Sequence, residues 1–406
     1  MAFTKAQWSW LLYDPANAAY ALIVRTVFAP VFFLSAATAV WGEVKSTEYW
    51  GYTASLAGIC AGIFSLATGN YADLHHKKRL FLGICAAVSI ITAIILPFTG
   101  HMPPVVILVL FFFSMAGYMS ANSFYDALLT DIAAPEERDR LSSTGYAWGY
   151  IGGMIPFIPV MAIAFLLPEW TFFAAFWMTA LWWGCGTVPV LKNTFEHNTC
   201  HRRINLAVSL KFIMRTPLLR TFLIAYFLYI DGIGTILLIA TPIAATLQIS
   251  SGFLMVIILA LQLIAFPFTI LYGKLSSRFG TRRMILCAIG VYVLIAVLTG
   301  ILSFTADIKL KQILFVFIAF LVGTSQGGIQ ALSRSLFSRI IPPERTAELF
   351  GIYNFFGKFT TILGPVMIGI AVHFWGRPEL GVTLLAIPFI CGGIMLKKLP
   401  LPPEVK

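Results

Sequence analysis

Three ionisable residues, Arg25, Asp231 and Lys358, sit inside stretches of sequence apolar enough to lie in hydrocarbon. A charge at that depth costs roughly 2.5–3.5 kcal/mol on insertion scales, so it is kept for a function or for a partner of opposite sign. Counted from the loop-side ends of their stretches, all three lie about 11–15 residues in, roughly 16–22 Å at the helical rise, near the middle of a bilayer. Arg25 returns, on an ideal helix, to within about 20° of the direction of Asp14, with Asn17 on the same stripe. Lys358 has Gly351, Asn354 and Thr361 at helical spacings, and Asp231 stands four residues before Thr235 and beside Gly232 and Gly234. Two cations and one anion leave an excess of one positive charge, which the carboxylate or phosphate of a solute can offset. The alternative is structural: Asp231 neutralises Arg25 or Lys358 as a buried pair holding two halves together. Asp231 is also the best proton carrier, because desolvation and a nearby cation act on its carboxylate in opposite senses.

Further polar groups occupy apolar stretches. Gln326 and Gln330 share a stripe with Ser333 and Arg334, and Asn122 and Asp126 flank Ser123 and Tyr125. Such side chains either line a cavity or hydrogen-bond neighbouring helices, and both readings stand open. Gly145, Gly149 and Gly153, and Ala54, Gly58 and Gly62, form small-residue ridges for close helix approach.

The elements that position these groups follow from composition. With 59% hydrophobic and 11% charged residues, and a mean hydropathy of +0.86, the 406-residue chain has too few charges to coat a water-soluble globule. Windows long enough to span a bilayer lie at 10–36, 49–71, 79–99, 103–128, 141–167, 170–190, 219–246, 252–275, 282–303, 311–335, 347–374 and 379–396. Backbone groups in hydrocarbon must be satisfied within the segment, so these are helices. The fold class is all-α and membrane-spanning: twelve transmembrane helices in two pseudo-symmetric six-helix bundles.

The pseudo-symmetry is written in the turns. GNYADLHHKKRLFLG (69–83) and GKLSSRFGTRRMILC (273–287) share one layout of glycine, polar turn, basic cluster and new apolar run, and Pro135-Glu136-Glu137-Arg138 is echoed by Pro342-Pro343-Glu344-Arg345 at nearly the same offset. The division is an N-terminal bundle at 1–190, a cytoplasmic linker at 191–218 and a C-terminal bundle at 219–406. The linker pairs basic flanks with a mildly amphipathic stretch, as expected of a tether along the inner leaflet.

Of the 28 Lys and Arg, 22 fall on the side holding both termini and four (Lys45, Lys309, Lys311, Arg377) on the other, with Arg25 and Lys358 inside spans. This positive-inside bias places both ends in the cytoplasm of a cell whose inner membrane holds the protein, and it accounts for the net charge of +11 without nucleic acid. The first apolar stretch is too long, and too interrupted by Asp14 and Arg25, for a cleaved leader. His197, Cys200 and His201 lack a second matching ligand group, so no metal and no cofactor is expected. The cysteines read as small apolar fillers. HExxH and GxGD motifs and a GxSxG elbow at a strand-to-helix turn are not expected here, so the chain reads as a carrier rather than an enzyme, and as a monomer.

The loop signature Gly69 to Arg79 and its echo Gly273 to Arg283 resemble those of the major facilitator superfamily. YDPANAAY (13–20), DIAAPEERDRLSSTGYAWGYIGG (131–153), DGIGT (231–235) and GGIQALSRSLFSRIIPPERTAELFGIYNFFGKFTTILGP (327–365) resemble the branch that holds vacuolar amino-acid effluxers linked to autophagy and their bacterial relatives. The resemblance implies a secondary transporter whose halves rock around a central site. It implies cytoplasmic latches drawn from Asp73, Arg79, Arg138, Arg140, Arg278, Arg282, Arg334, Glu344 and Arg345, with Asp73 pairing with Arg138 or Arg140. The first turn departs from the pattern, carrying His75-His76-Lys77-Lys78 where a glycine-containing turn is usual. The expected solute is an amino acid or another zwitterionic or anionic metabolite, coupled to protons and held by Asp14, Asn17, Arg25, Asn122, Asp126, Asp231, Thr235, Gln326, Gln330, Asn354 and Lys358. A sugar or other small organic solute is the alternative.

Overall fold

A capping box opens the chain: the Thr4 hydroxyl accepts from Gln7 N–H, and the Gln7 side chain accepts from Thr4 N–H. From there the computed structural model describes residues 3–196, 206–358 and 363–401. The helices are α1 (Lys5–Trp41), α2 (Glu43–His75), α3 (Lys78–Thr99), α4 (Pro104–Ile132), α5 (Arg138–Leu166) and α6 (Pro168–Asn193). There follow α7 (Leu206–Arg215), α8 (Pro217–Thr246), α9 (Ser251–Phe279), α10 (Thr281–Phe304), α11 (Ile308–Ile340), α12 (Thr346–Lys358), α13 (Leu363–Trp375) and α14 (Glu379–Lys397). Among the described residues, 11 helices are long and apolar enough to cross a membrane. The span expected at 347–374 is represented by α12 and α13, on either side of 359–362, which lie outside the described residues, as do His197, Cys200 and His201.

The chain divides into two units. Unit 1 comprises Met1–Ala134, Trp148–Ser209 and Pro342–Phe355; unit 2 comprises Pro135–Ala147, Leu210–Ile341 and Phe356–Lys406. Each unit thus includes a short segment from the other half of the sequence, and each such segment begins with one of the repeated Pro-Glu-Arg landmarks.

In unit 1 the ridge glycines of α5 meet α1. A Cβ at Gly152 would strike Pro15, and Gly149 and Gly153 lie against Ala18. Ala19, Ile23 and Phe28 of α1 pack with Val160 of α5 and Ala175 of α6. On α2, Gly58 faces Met119, while Gly62, Ser65 and Gly69 meet Phe355, Gly351 and Glu348, one contact per turn. In unit 2, α10 buries Ile285, Ala288, Ile289 and Tyr292 and exposes Leu294, Val297, Ile301 and Phe304. Apolar exposure on that scale is what a helix bathed in lipid shows. The string Gly323-Thr324-Ser325-Gln326-Gly327 has the spacing of a hydrolase elbow, but it lies within α11, with no strand-to-helix turn to present the serine.

Candidate functional site

The apolar helices of unit 1 turn a set of polar side chains inward. Asp14 and Asn17 on α1 and Asn122 and Asp126 on α4 are buried. Asn17 Nδ2 donates to Asn122 Oδ1 at 2.8 Å, and Asn354 Nδ2 donates to Asp126 Oδ2 at 2.8 Å and to the Phe350 carbonyl at 3.2 Å. The hydroxyl of Tyr118, one turn before Asn122, lies within interaction range of the Arg25 and Asn122 side chains and within electrostatic reach of Asp14. Six of the residues expected to hold solute, Asp14, Asn17, Arg25, Asn122, Asp126 and Asn354, are therefore gathered around α4. Stacked rings wall the cluster: Tyr125 lies between Trp10 and Tyr13, at 4.5 and 4.4 Å, and Tyr20 stacks on Tyr118 at 4.7 Å.

Two features of this cluster depart from a plain structural network. Asn17 Oδ1 is buried with no hydrogen-bond partner, an acceptor left unmade at a cost of about 1–3 kcal/mol unless a ligand supplies the donor. The second is that α1 is π-helical over Tyr20–Phe28: Ala29 N–H bonds the Val24 carbonyl, and Thr26 Oγ1 donates to the Ala21 carbonyl at 2.7 Å, both five residues back. Each residue there turns less than in an α-helix, so Arg25 departs from the direction that an ideal helix through Asp14 assigns it. Pro30 follows directly, and its missing N–H removes the donor that would close an α-type turn on Thr26.

Unit 2 arranges its polar groups differently. Asp231 is fully buried, and its Oδ2 accepts the N–H of Gly364 at 2.8 Å, fixing the start of α13 against α8. Gly364 is required there, because a Cβ would lie on Thr235 Oγ1. Thr235 donates to the Asp231 carbonyl of its own helix. Gln326 and Gln330 on α11 are half-buried, and Gln326 Oε1 is buried with no partner, whereas Ser333 on their stripe is engaged by Tyr229 at 2.6 Å. The side chain of Lys358 lies outside the described residues.

The repeated turns form a second set of contacts. Asp73 is held by Lys78 at 3.4 Å, by Thr346 Oγ1 at 3.1 Å and by the N–H groups of Ala347 and Glu348 at 3.0 and 3.2 Å, at the start of α12. These partners correct the expected pairing with Arg138 or Arg140: the uncapped N–H groups of a helix start already satisfy the carboxylate. Arg138 donates to the Ser338 carbonyl at 2.7 Å, and Arg140 is exposed. Lys78 Nζ also bonds Asp131 at 2.9 Å and Thr346 at 2.7 Å. Arg79 clasps Glu196 and the Leu191 and Thr194 carbonyls, stapling α3 to the end of α6. Arg345 forms a two-pronged buried pair with Glu348, while Glu344 is exposed. In unit 2, Arg334 is buried over the Tyr146 ring and donates to Ser142 Oγ and to the Ser142 carbonyl. Arg282 donates to the Leu399 carbonyl at 3.0 Å, and Arg278 is exposed over Phe279.

The first turn closes without glycine. His76 takes φ 54°, the left-handed conformation, at the position that Gly280, φ 90°, occupies in the second copy.

A family model described as Major Facilitator Superfamily matches residues 16–365 and, again, 221–406. The chain belongs to the major facilitator superfamily. It is 35% identical over 415 residues to the Uncharacterized MFS-type transporter YxiO of Bacillus subtilis (strain 168), covering 98% of this chain and 95% of that protein. Autophagy-related protein 22-1 of Neosartorya fischeri is 27% identical over 279 residues, 61% of this chain, which spans only 46% of the fungal protein. A crystal structure of a bacterial homologue of the iron transporter ferroportin, in an outward-facing state, has the same fold, with a TM-score of 0.74 and 13% identity over 97% of this chain and 98% of that one. The protein is thus a multi-pass integral membrane transporter of this superfamily.

Several residues of this facilitator escaped sequence reasoning. Lys78, Asp131, Asp139, Glu196, Arg339 and Glu348 all make charged contacts, yet charges at helix ends read first as topology. The repeat held a usable signal: Asp139 and Thr346 occupy matching positions after the two Pro-Glu-Arg landmarks, and both are tied into a latch. Tyr118 carried none, being one of 14 tyrosines in an aromatic-rich chain.

Proposed function

We propose that this protein is a proton-coupled secondary transporter of a small zwitterionic or anionic solute, with amino acids as the leading class, working by alternating access. The observation that carries the reading is the gathering of Arg25, Asn122 and Asp14 around Tyr118, with Asn17 bonded to Asn122 and Asp126 one turn further along α4. A guanidinium suits a carboxylate, and Asn17 Oδ1 with Asp14 and Asp126 suits an ammonium, so the cluster presents both halves of a zwitterion's complement. The resemblance to autophagy-linked amino-acid effluxers supports the same class. In this reading Asp231, Thr235, Gln326, Gln330 and Lys358 also serve the solute, and Asp231 carries the proton. The contacts of Asp73, Arg79, Arg138, Arg140, Arg278, Arg282, Arg334, Glu344 and Arg345 serve the cytoplasmic gate. The charge bias of the loops supports a place in the cytoplasmic membrane with both ends inside, where the protein works as a monomer.

Reconstitution in liposomes tests this. Labelled amino acids, sugars and phosphorylated metabolites are offered with and without an imposed proton gradient. The expected result is gradient-driven accumulation of amino acids, abolished by Arg25→Ala and uncoupled from pH by Asp231→Asn. Accumulation of sugars alone would replace this reading with that of a transporter for a sugar or other small organic solute.

A further inference from the structure

Unit 2 holds a cavity of about 510 Å³ that is separate from every residue assigned above to the solute. It is lined by the α9–α10 turn, Ser276 to Arg283, by Glu136 and Asp139, and by Arg339. Four guanidinium groups therefore face two carboxylates. One of those carboxylates is already neutralised, since Asp139 pairs with Arg339 at 2.9 Å and accepts the Thr281 hydroxyl. Arg282 is committed to the Leu399 carbonyl, but Arg278 and Arg283 are exposed with no carboxylate partner among the described residues. Arg339 retains a buried Nε–H without an acceptor.

The backbone adds to this surplus of donors. The 24-residue helix α10 begins at the cavity, its first turn receives no side-chain cap, and its first three residues, Thr281, Arg282 and Arg283, all line the space. Uncapped N–H groups at a helix start and forked guanidinium donors share one preferred ligand, a tetrahedral oxyanion.

We propose that this cavity binds a phosphate-bearing anion, either the headgroup of an anionic lipid or a free phosphate ester. Arg278, Arg283 and the first turn of α10 hold its oxygens, and Glu136 at the rim disfavours bulkier polyanions. Because the lining comes from both the start of α5 and the α9–α10 turn, occupancy tightens the Asp139–Thr281–Arg339 contact between them. The site is regulatory and independent of the transported solute.

The test measures melting temperature in discs of phosphatidylcholine alone, so it does not depend on transport. Inorganic phosphate and glycerol 1-phosphate are titrated at constant ionic strength against chloride, and a parallel arm replaces part of the lipid with phosphatidylglycerol. A ligand that binds only the folded state raises the melting temperature with the logarithm of its concentration. The expected result is a saturable rise in at least one arm that needs tenfold or more ligand in Arg278→Gln/Arg283→Gln. A rise with either soluble phosphate assigns the free anion, and a rise with phosphatidylglycerol alone assigns the lipid. Should the double variant fail to fold, Arg283→Gln alone carries the comparison. No rise in either arm, or a rise undiminished in the variants, overturns the proposal.

Discussion

Asn354 on α12 donates to Asp126 on α4 across 228 positions of sequence, one helical turn from the Asn17–Asn122 bond. A residue of the C-terminal half of the sequence is therefore bonded into the polar cluster of unit 1, and the helix that carries Asn354 is the one whose start Asp73 holds. The polar cluster and the basic turn are thus joined through one helix. Asp126→Ala and Asn354→Ala are each expected to slow transport at least tenfold. The double variant should be little worse than either, because the two side chains act as one unit. Initial rates of labelled-solute uptake measure this; additive losses would show that the bond carries no function.

Lys78 is expected to be the most sensitive charge outside the membrane core. Its side chain is only 4% exposed and sits between Asp73 and Asp131, so Lys78→Met leaves two carboxylates buried without their cation. Breaking a buried pair in this way costs about 3–5 kcal/mol. Adding Asp131→Leu should recover part of the loss, since it removes one of the stranded charges. Melting temperatures in detergent decide the matter, and an unchanged single variant would refute the assignment.

His76 gives a prediction of opposite sign. A side chain in the left-handed region costs about 1–2 kcal/mol, part of which glycine gives back as backbone entropy in the unfolded chain. His76→Gly should therefore stabilise the first turn by about 1 kcal/mol, and Gly280→His should destabilise the second. Hydrogen exchange of the amides at the starts of α3 and α10 reads each turn separately.

Gly69 and Gly273 should be equally intolerant of enlargement. A Cβ at Gly69 would stand 2.6 Å from the backbone of Glu348, and one at Gly273 would stand 2.5 Å from Ser143. Neither neighbour can yield cheaply, the first being main chain and the second lying on a buried helix start. Gly69→Ala and Gly273→Ala are each expected to cost about 1–3 kcal/mol, as overpacking does. Thermal unfolding checks this, with Gly290→Ala, where a Cβ meets nothing within 4 Å, as the neutral control.

Much of this was legible in the residues because lipid imposes simple rules. Long apolar windows located the helices, and the polar exceptions within them, Asp14, Asn17, Asn122, Asp126 and Asn354, located the cluster. The direction of Arg25 was not legible, because a π-helical stretch leaves no periodicity of its own in an apolar run and Pro30 signals only a local disturbance. The partner of Asp73 was not legible for another reason. Sequence reasoning pairs charges with charges, whereas here a helix start supplies N–H groups that no letter of the sequence announces. Thr235 illustrates the same limit: its spacing from Asp231 points to a shared interior, but not to the bond its hydroxyl donates to the Asp231 carbonyl of its own helix.

The exchanged segments have a consequence for biogenesis. Unit 1 is completed by Pro342–Phe355, so the groove left by α2 waits open while some 150 further residues are synthesised, on the order of ten seconds or more at ribosomal speed. During that interval Asp73 has Lys78 but lacks Thr346 and the N–H groups of Ala347 and Glu348, and Gly69 lacks the Glu348 backbone that packs on it. Nascent chains halted before Pro342 should be the ones that a membrane quality-control protease recognises, and chains released just after Phe355 the first to resist it.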